Sequence, residues 1–219
     1  MKIQFIGGAR TVTGSQHFLT INGKKILLEC GLFQGRRQDT YEKNKSFKFN
    51  PKEINALILS HAHIDHSGNI PNLVKNGFDG PIYATSATVD LCDIMLKDSA
   101  HLQQRDVEWL NKKRKNKNQA KEEALYSLED VERALNNFIK VEYNTVTEIF
   151  SGINATFQDA GHILGSSSIL LEIEEDHGKK FRFGFSGDIG RHETPIIRDP
   201  DYLRDLDFLI MESTYGNRI

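Results

Sequence analysis

From Ser60 to Gly68 the chain reads Ser-His-Ala-His-Ile-Asp-His-Ser-Gly, which places His61, His63, Asp65 and His66 within six residues. Imidazole nitrogens and carboxylate oxygens are the donors that borderline divalent ions such as zinc prefer. The alternation His61-Ala62-His63 sends both imidazoles the same way from an extended backbone. A polar turn with scattered histidines is the competing explanation. It accounts poorly for three histidines at this spacing. The chemistry such a cluster supports is hydrolysis, because a bound divalent ion lowers the pKa of water and polarises the bond under attack.

A cluster of this kind needs an element to present it. The apolar run Ala56-Leu57-Ile58-Leu59 precedes it and reads as a buried strand, with the strand taken to span 56–60. Such a strand delivers the histidines to the rim of a sheet, where an ion keeps an open coordination position. Residues 3–6, 17–21 and 25–29 are also strand-like, and Asn22-Gly23 is a hairpin turn signal. Residues 70–76 suit a short helix stopped by Gly77, and 81–85 another strand. In the middle third, Val89, Cys92, Leu96, Ser99, Leu102 and Trp109 approximate a helical stripe. Ser127 and Asp130 suit a capping box. Leu128, Val131, Leu135, Phe138 and Ile139 are expected on one face of the helix it starts. Between these helices the stretch 111–117 reads as a polar, basic loop. Strands return at 154–158, 168–173, 181–186 and 207–211.

The 219 residues suffice for one substantial core or two small ones. A net charge of -2 excludes a global basic field, so any nucleic-acid contact must come from local patches. Arg36-Arg37 and the lysine-rich stretch 112–117 are the candidates, set against the commoner role of such charges as a solvated face. Trp109 and Phe47-Lys48-Phe49 could stack bases, although packing explains them better. Cys30 and Cys92 sit in apolar contexts and read as reduced core thiols, which suits a cytoplasmic protein. No apolar run approaches the roughly 18 residues that span a bilayer, so no membrane partner is expected. The stretch 7–15 is rich in glycine and threonine but lacks the Gly-Lys-Ser/Thr ending of a nucleotide loop. It reads either as a loop over the active site or as an ordinary strand connection. His17, His101, His177 and His192 lie outside any ligand motif.

The cluster after a hydrophobic strand resembles the metallo-β-lactamase superfamily of metal-dependent hydrolases. Ala160-Gly161-His162-Ile163-Leu164-Gly165-Ser166 and Phe185-Ser186-Gly187-Asp188-Ile189-Gly190 resemble its next ligand motifs. Residues 5–15, Cys30-Gly31-Leu32-Phe33-Gln34-Gly35 and Glu212-Ser213-Thr214-Tyr215-Gly216 resemble the β-CASP branch, which processes nucleic acids. The resemblance implies an αββα sandwich of class α/β (α+β), two packed mixed sheets flanked by helices, filling residues 1–219 as one catalytic domain. It implies that His61, His63 and His162 hold one zinc ion, that Asp65 and His66 hold a second, and that Asp188 bridges them. Asp65 would also orient or deprotonate the attacking water. Glu29 stands where the family usually has aspartate, in a role that buttresses a ligand histidine. Glu212 would cooperate with a cap histidine in protonating the leaving group, and Ser213, Thr214 and Tyr215 would contact substrate. That cap, and a last zinc-ligand histidine, are expected beyond Ile219.

The expected function is therefore zinc-dependent hydrolysis of single-stranded RNA by a hydroxide held between two zinc ions. It would leave a 5′-phosphate and a 3′-hydroxyl. A homodimer is one assembly considered. The alternatives are a thioesterase- or lactonase-type hydrolase of the same superfamily, and an RNA-binding module of weak activity.

Overall fold

The computed structural model describes residues 1–113, 121–214 and 216, the side chain of Gln38 excepted. Asn22 and Gly23 take φ values of 47° and 72°. That left-handed pair makes the tight turn by which β2 (Gln16–Ile21) and β3 (Lys24–Leu28) run antiparallel. They belong to a six-stranded sheet with β1 (Lys2–Gly7), β4 (Ala56–Ile58), β5 (Ile82–Thr85) and β6 (Phe138–Val141), in the order β1-β2-β3-β4-β5-β6. From β3 to β6 the pairing is parallel. Strands β4 and β5 are buried along their whole length, as parallel strands covered on both faces must be.

A second sheet of five strands has the order β11-β10-β9-β8-β7. Its members are β7 (Thr147–Phe150), β8 (Ile153–Asp159), β9 (Ser167–Glu174), β10 (Lys180–Phe185) and β11 (Phe208–Ile210). The ladder is antiparallel except between β10 and β11. The two sheets lie face to face. Ile21, Ile26 and Ile58 from the first meet Phe157, Leu171 and Phe183 from the second in one buried cluster. Each such fully buried side chain contributes about 1.5–3 kcal/mol. The fold is thus the expected α+β arrangement of two packed mixed sheets with flanking helices.

The opposite face of the first sheet carries helices. Leu27, Leu57 and Ile82 point there and pack with Leu73 of α3 (Ile70–Lys75), Leu96 of α4 (Ser86–Lys113) and Val131 of α5 (Leu128–Leu135). Two shorter pieces were not legible as periodic patterns: α1 (Arg37–Lys45), with Tyr41 as its one large apolar residue, and α2 (Ile64–Ser67). Helix α1 is anchored by polar contacts instead. Asn44 accepts from the Phe33 N–H at 2.8 Å and donates to the Phe33 carbonyl at 2.9 Å.

Several expectations are corrected. The Ser127–Asp130 capping box forms, but α5 ends at Leu135 and Phe138 and Ile139 lie in β6. Parallel pairing of Ile82 with Phe138 and Tyr83 with Ile139 outweighs the helical spacing, and Asn136 and Asn137 are poor helix formers that let the chain leave. In α4 the buried residues are Thr88, Cys92, Leu96, Ala100 and Val107, whereas Leu102 and Trp109 are exposed. Residues 111–113 continue that helix, and 114–117 of the expected basic loop lie outside the described residues. Phe47 and Phe49 pack on each other and on Phe18. Cys30 and Cys92 are free and buried. Among the described residues no helix is long and apolar enough to cross a membrane.

Candidate metal centre

Strand β4 ends at Ile58, two residues short of the expected span, and the chain bends at Ser60 before α2 begins at Ile64 with His63 as its N-cap. This link brings the His61 and His63 rings together, and Asp65 and His66 lie in the helical turn that follows. The carbonyl of His63 accepts from the N–H groups of His66 and Ser67 at 2.9 and 2.8 Å, which fixes that turn. The second sheet supplies the remaining members. His162 lies between β8 and β9, where Ser166 Oγ accepts from its N–H at 3.0 Å. Asp188 lies just after β10. Gly190 brings the two loops together: its N–H donates to the Ala160 carbonyl at 2.8 Å. A Cβ there would fall 1.5 Å from the Gly161 carbonyl oxygen, so no other residue fits. Across the sheets, Ser167 donates from both N–H and Oγ to the Ser60 carbonyl, at 2.9 and 3.0 Å.

Three ring nitrogens converge. His61 Nε2 and His162 Nε2 lie 3.1 and 3.2 Å from His63 Nδ1. Asp188 Oδ2 lies 3.7 Å from His61 Nε2 and 3.6 Å from His162 Nε2. Ligands about 2.0–2.1 Å from a tetrahedral zinc are about 3.3 Å apart, so this group has the edge lengths of a metal shell. A proton on His63 Nδ1 could serve only one of the two nitrogens facing it, whereas a cation serves all. Asp188 Oδ1 points the other way, 3.3 Å from His66 Nε2, and Asp65 Oδ2 lies 3.8 Å from the same nitrogen. One carboxylate therefore faces both the His61/His63/His162 group and the Asp65/His66 group.

Glu29 sits beneath, fully buried, with a φ of 64°. Its Oε1 accepts from the Ser60 N–H at 2.7 Å, and its Oε2 from Ser60 Oγ at 2.9 Å and from His66 Nδ1 at 2.7 Å. Ser60 Oγ, having donated its hydrogen to Glu29, can only accept from His61 Nδ1 at 2.9 Å. That assigns Nδ1–H to both His61 and His66 and aims both Nε2 atoms at the centre. Glu29, His61 and His66 also stand within metal-binding distance of one another. Both Glu29 oxygens are already engaged, however, so this trio supports the centre and does not form a further ion site.

Electrostatics set the two donor groups apart. Burial, then the charges of His66, His63 and His162, holds His61 well below the usual histidine range. Burial and then His162 lower His63. Both therefore stay neutral near pH 7, the form that binds cations. Burial opposes a His66 cation too, but the hydrogen bond and charge of Glu29, with Asp188 and Asp65, outweigh it and push His66 up to about 9, so a metal at His66 must displace a proton at pH 7. Burial raises Glu29, against the pull of His66 and Ser60.

Glu212 faces the cavity beside the centre. Its Oε1 accepts from the Ile189 N–H at 2.8 Å, one residue from Asp188, and its own N–H donates to Ser186 Oγ at 3.0 Å. Ser213 and Thr214 line the same cavity, and Tyr215 lies outside the described residues. Arg36 and Arg37 do not reach it. Arg37 pairs with Glu122 at 2.8 Å, lies over the Tyr41 ring and lines a separate cleft against α4. His101, His177 and His192 are exposed and apart from the centre. Sequence reasoning missed Ser60 and Ser166, whose roles depend on partners 31 and 4 residues away.

The Metallo-beta-lactamase superfamily domain matches residues 18–177. The chain belongs to the metallo-β-lactamase superfamily. Among curated relatives it is 35% identical over 218 residues to Ribonuclease TTHA0252 of Thermus thermophilus, covering 100% of this chain and 44% of that protein. It is 31% identical over 222 residues to Probable RNase MJ4 of Methanocaldococcus jannaschii, covering 100% and 46%. Against Transcription termination factor FttA of the same organism the identity is 30% over 218 residues, covering 99% and 32%. The chain thus spans less than half the length of these relatives. Among solved structures, the Cronobacter sakazakii metallo-β-lactamase with a HARLDQ motif gives a TM-score of 0.53 at 16% identity, covering 89% of this chain and 62% of that one. Native FEZ-1 metallo-β-lactamase from Legionella gormanii gives 0.51 at 17%, covering 87% and 62%. These two likenesses concern the fold alone.

Proposed function

We propose that this chain carries the metal centre of a ribonuclease of the β-CASP branch, hydrolysing phosphodiester bonds of single-stranded RNA with two zinc ions. The observation that carries the reading is Asp188, whose two oxygens face two adjacent donor groups. His61, His63, His162 and Asp188 would hold one ion, and Asp65, His66 and Asp188 the other. Bound there, the ions would supply Lewis acidity at the phosphoryl oxygen and lower the pKa of water. The chain's own residues do the rest. Glu29 and Ser60 hold two imidazoles in the metal-binding tautomer. Asp65, partly exposed beside His66, orients the attacking water and takes its proton. Glu212 fixes the Ile189 backbone and so the approach of Asp188. Water oxygen adds to phosphorus, the bond to the 3′-oxygen breaks, that oxygen takes a proton from solvent, and the products are a 5′-phosphate and a 3′-hydroxyl. The names of two relatives as ribonucleases support RNA as the substrate.

The test is hydrolysis by the zinc-loaded protein of single-stranded RNA, a generic phosphodiester and a thioester, alongside elemental analysis. About two zinc ions per chain and RNA cleavage are expected, with Asp65→Ala inactive and Asp188→Ala retaining about one ion or fewer. Thioester hydrolysis without phosphodiester cleavage would move the chain to a small-molecule hydrolase. RNA binding without cleavage would make it a binding module.

A further inference from the structure

A cavity of about 550 Å³ opens beside the centre, within the roughly 300–1,000 Å³ of small-ligand sites. Its inner wall is His66, Asp188 and Glu212. Its outer rim is apolar: Phe5, Val12 and Met211 line it and are 52%, 70% and 62% exposed. Arg10 is the single arginine among the lining residues, and no lysine is present. It has no ion-pair partner among the described residues.

Arg10 is presented, not merely exposed. Its φ of 61° is a left-handed value that an arginine rarely adopts. Such a backbone persists only where its surroundings hold it. The loop that carries it is tied down at its return. The Ser15 N–H donates to the Asp65 carbonyl at 2.9 Å, and Thr13 Oγ1 accepts from the Gln34 N–H at 3.0 Å. Gly14 lies so close to Phe33 that a Cβ would fall 2.5 Å from its ring. The anchor at Asp65 is itself a member of the centre, so the loop and the centre share one frame.

A wall of carboxylates and histidines, one unpaired guanidinium and an exposed apolar rim call for a ligand with an anionic end and a flat apolar end. A nucleotide has both. We propose that this cavity is a one-nucleotide subsite. Arg10 binds the phosphate neighbouring the scissile one, and Phe5, Val12 and Met211 cover the base. The proposal rests on the reading of the centre as a ribonuclease site. A guanidinium suits the task because its planar fork matches two phosphate oxygens. Apolar side chains suit any base, which predicts binding without sequence preference.

The probes are uridine 5′-monophosphate, which has no phosphodiester to cleave, and ribose 5-phosphate, which lacks the base. Their affinities for the zinc-loaded protein are measured by calorimetry. Arg10→Ala is expected to weaken uridine 5′-monophosphate by about tenfold or more. Arg10→Lys should recover part of that loss. Lys97→Ala, which removes a positive charge from α4 outside the cavity, should leave the affinity unchanged. Ribose 5-phosphate should bind more weakly than the nucleotide, and the exposed change Met211→Ser should narrow that gap. The subsite is overturned if wild type does not bind the nucleotide, if Arg10→Ala binds it as tightly as wild type, or if removing the base changes nothing. RNA cleavage by the same preparations separates the two readings. Cleavage with an affinity indifferent to Arg10 overturns the subsite and leaves the ribonuclease standing. Arg10-dependent nucleotide binding without cleavage does the reverse.

Discussion

The two sheets contribute to the centre in different ways. The first delivers His61, His63, Asp65 and His66 as one contiguous block at the end of β4, with Glu29 from the end of β3 beneath them. The second delivers two single residues, His162 and Asp188, from loops that are unrelated in sequence. On one side, local backbone geometry and a buried carboxylate orient the donors. On the other, position depends on how β8, β9 and β10 pack against the first sheet. A metal shell assembled from both sides is therefore as good as the packing between them.

The largest expected effect tests that dependence directly. Phe157 of β8 is fully buried between the sheets, and Leu96 of α4 is fully buried on the helical side. Phe157→Ala should cost about 3–5 kcal/mol in denaturant unfolding, and Leu96→Ala about 2–5 kcal/mol. Only Phe157→Ala should also weaken zinc affinity under conditions where both variants remain folded. Equal losses of zinc affinity would break the contrast between the two sides.

The next effect concerns the first side alone. Glu29→Gln keeps the shape but removes the charge that holds His66 and, through Ser60, His61. Zinc affinity, read by competition with a chelator, should fall about 10–100-fold, the usual loss for a partner of a ligand histidine. An unchanged affinity would mean that the backbone orients these histidines without Glu29.

The smallest effect lies at the seam. His17 of β2 is buried, edge-on to Phe185 of β10 with ring centres 5.4 Å apart, and its Nδ1 has no partner. Burial, then the nearby His66 charge, pushes its pKa down to about 4. The unfolded chain takes up this proton near pH 6.5, whereas the folded protein does not until about pH 4. Stability in this respect is present above pH 6.5 and falls as pH drops towards 4. Unfolding curves at pH 7 and pH 5 should show wild type losing about 2 kcal/mol more than His17→Gln. Matching losses would mean that His17 is already charged in the folded protein.

Much of this is legible in the sequence. The HxHxDH spacing, the apolar run before it, the Asn22-Gly23 turn and the Ser127 capping box are all relations between residues a few positions apart. Local backbone geometry decides such relations, so the chain alone carries them. Other signals misled for the same reason. Phe138 and Ile139 continue a helical spacing, yet parallel pairing with β5 takes them into β6. Arg36-Arg37 has the composition of a phosphate contact, yet Arg37 is held by Glu122 and Tyr41 in another cleft. Arg10, in a loop with no charge run, is the arginine that reaches the cavity.

The sequence by itself determined the donor types, the strand that presents four of them and the turns that shape it. Only the tertiary structure decided that Asp188 turns one oxygen to each donor group, that Glu29 holds His66 directly and His61 through Ser60, and that Arg10 lines the cavity beside the centre. Those outcomes join residues tens to more than a hundred positions apart. Such distances are set when the sheets pack and the buried polar atoms find their partners, and no local propensity encodes them.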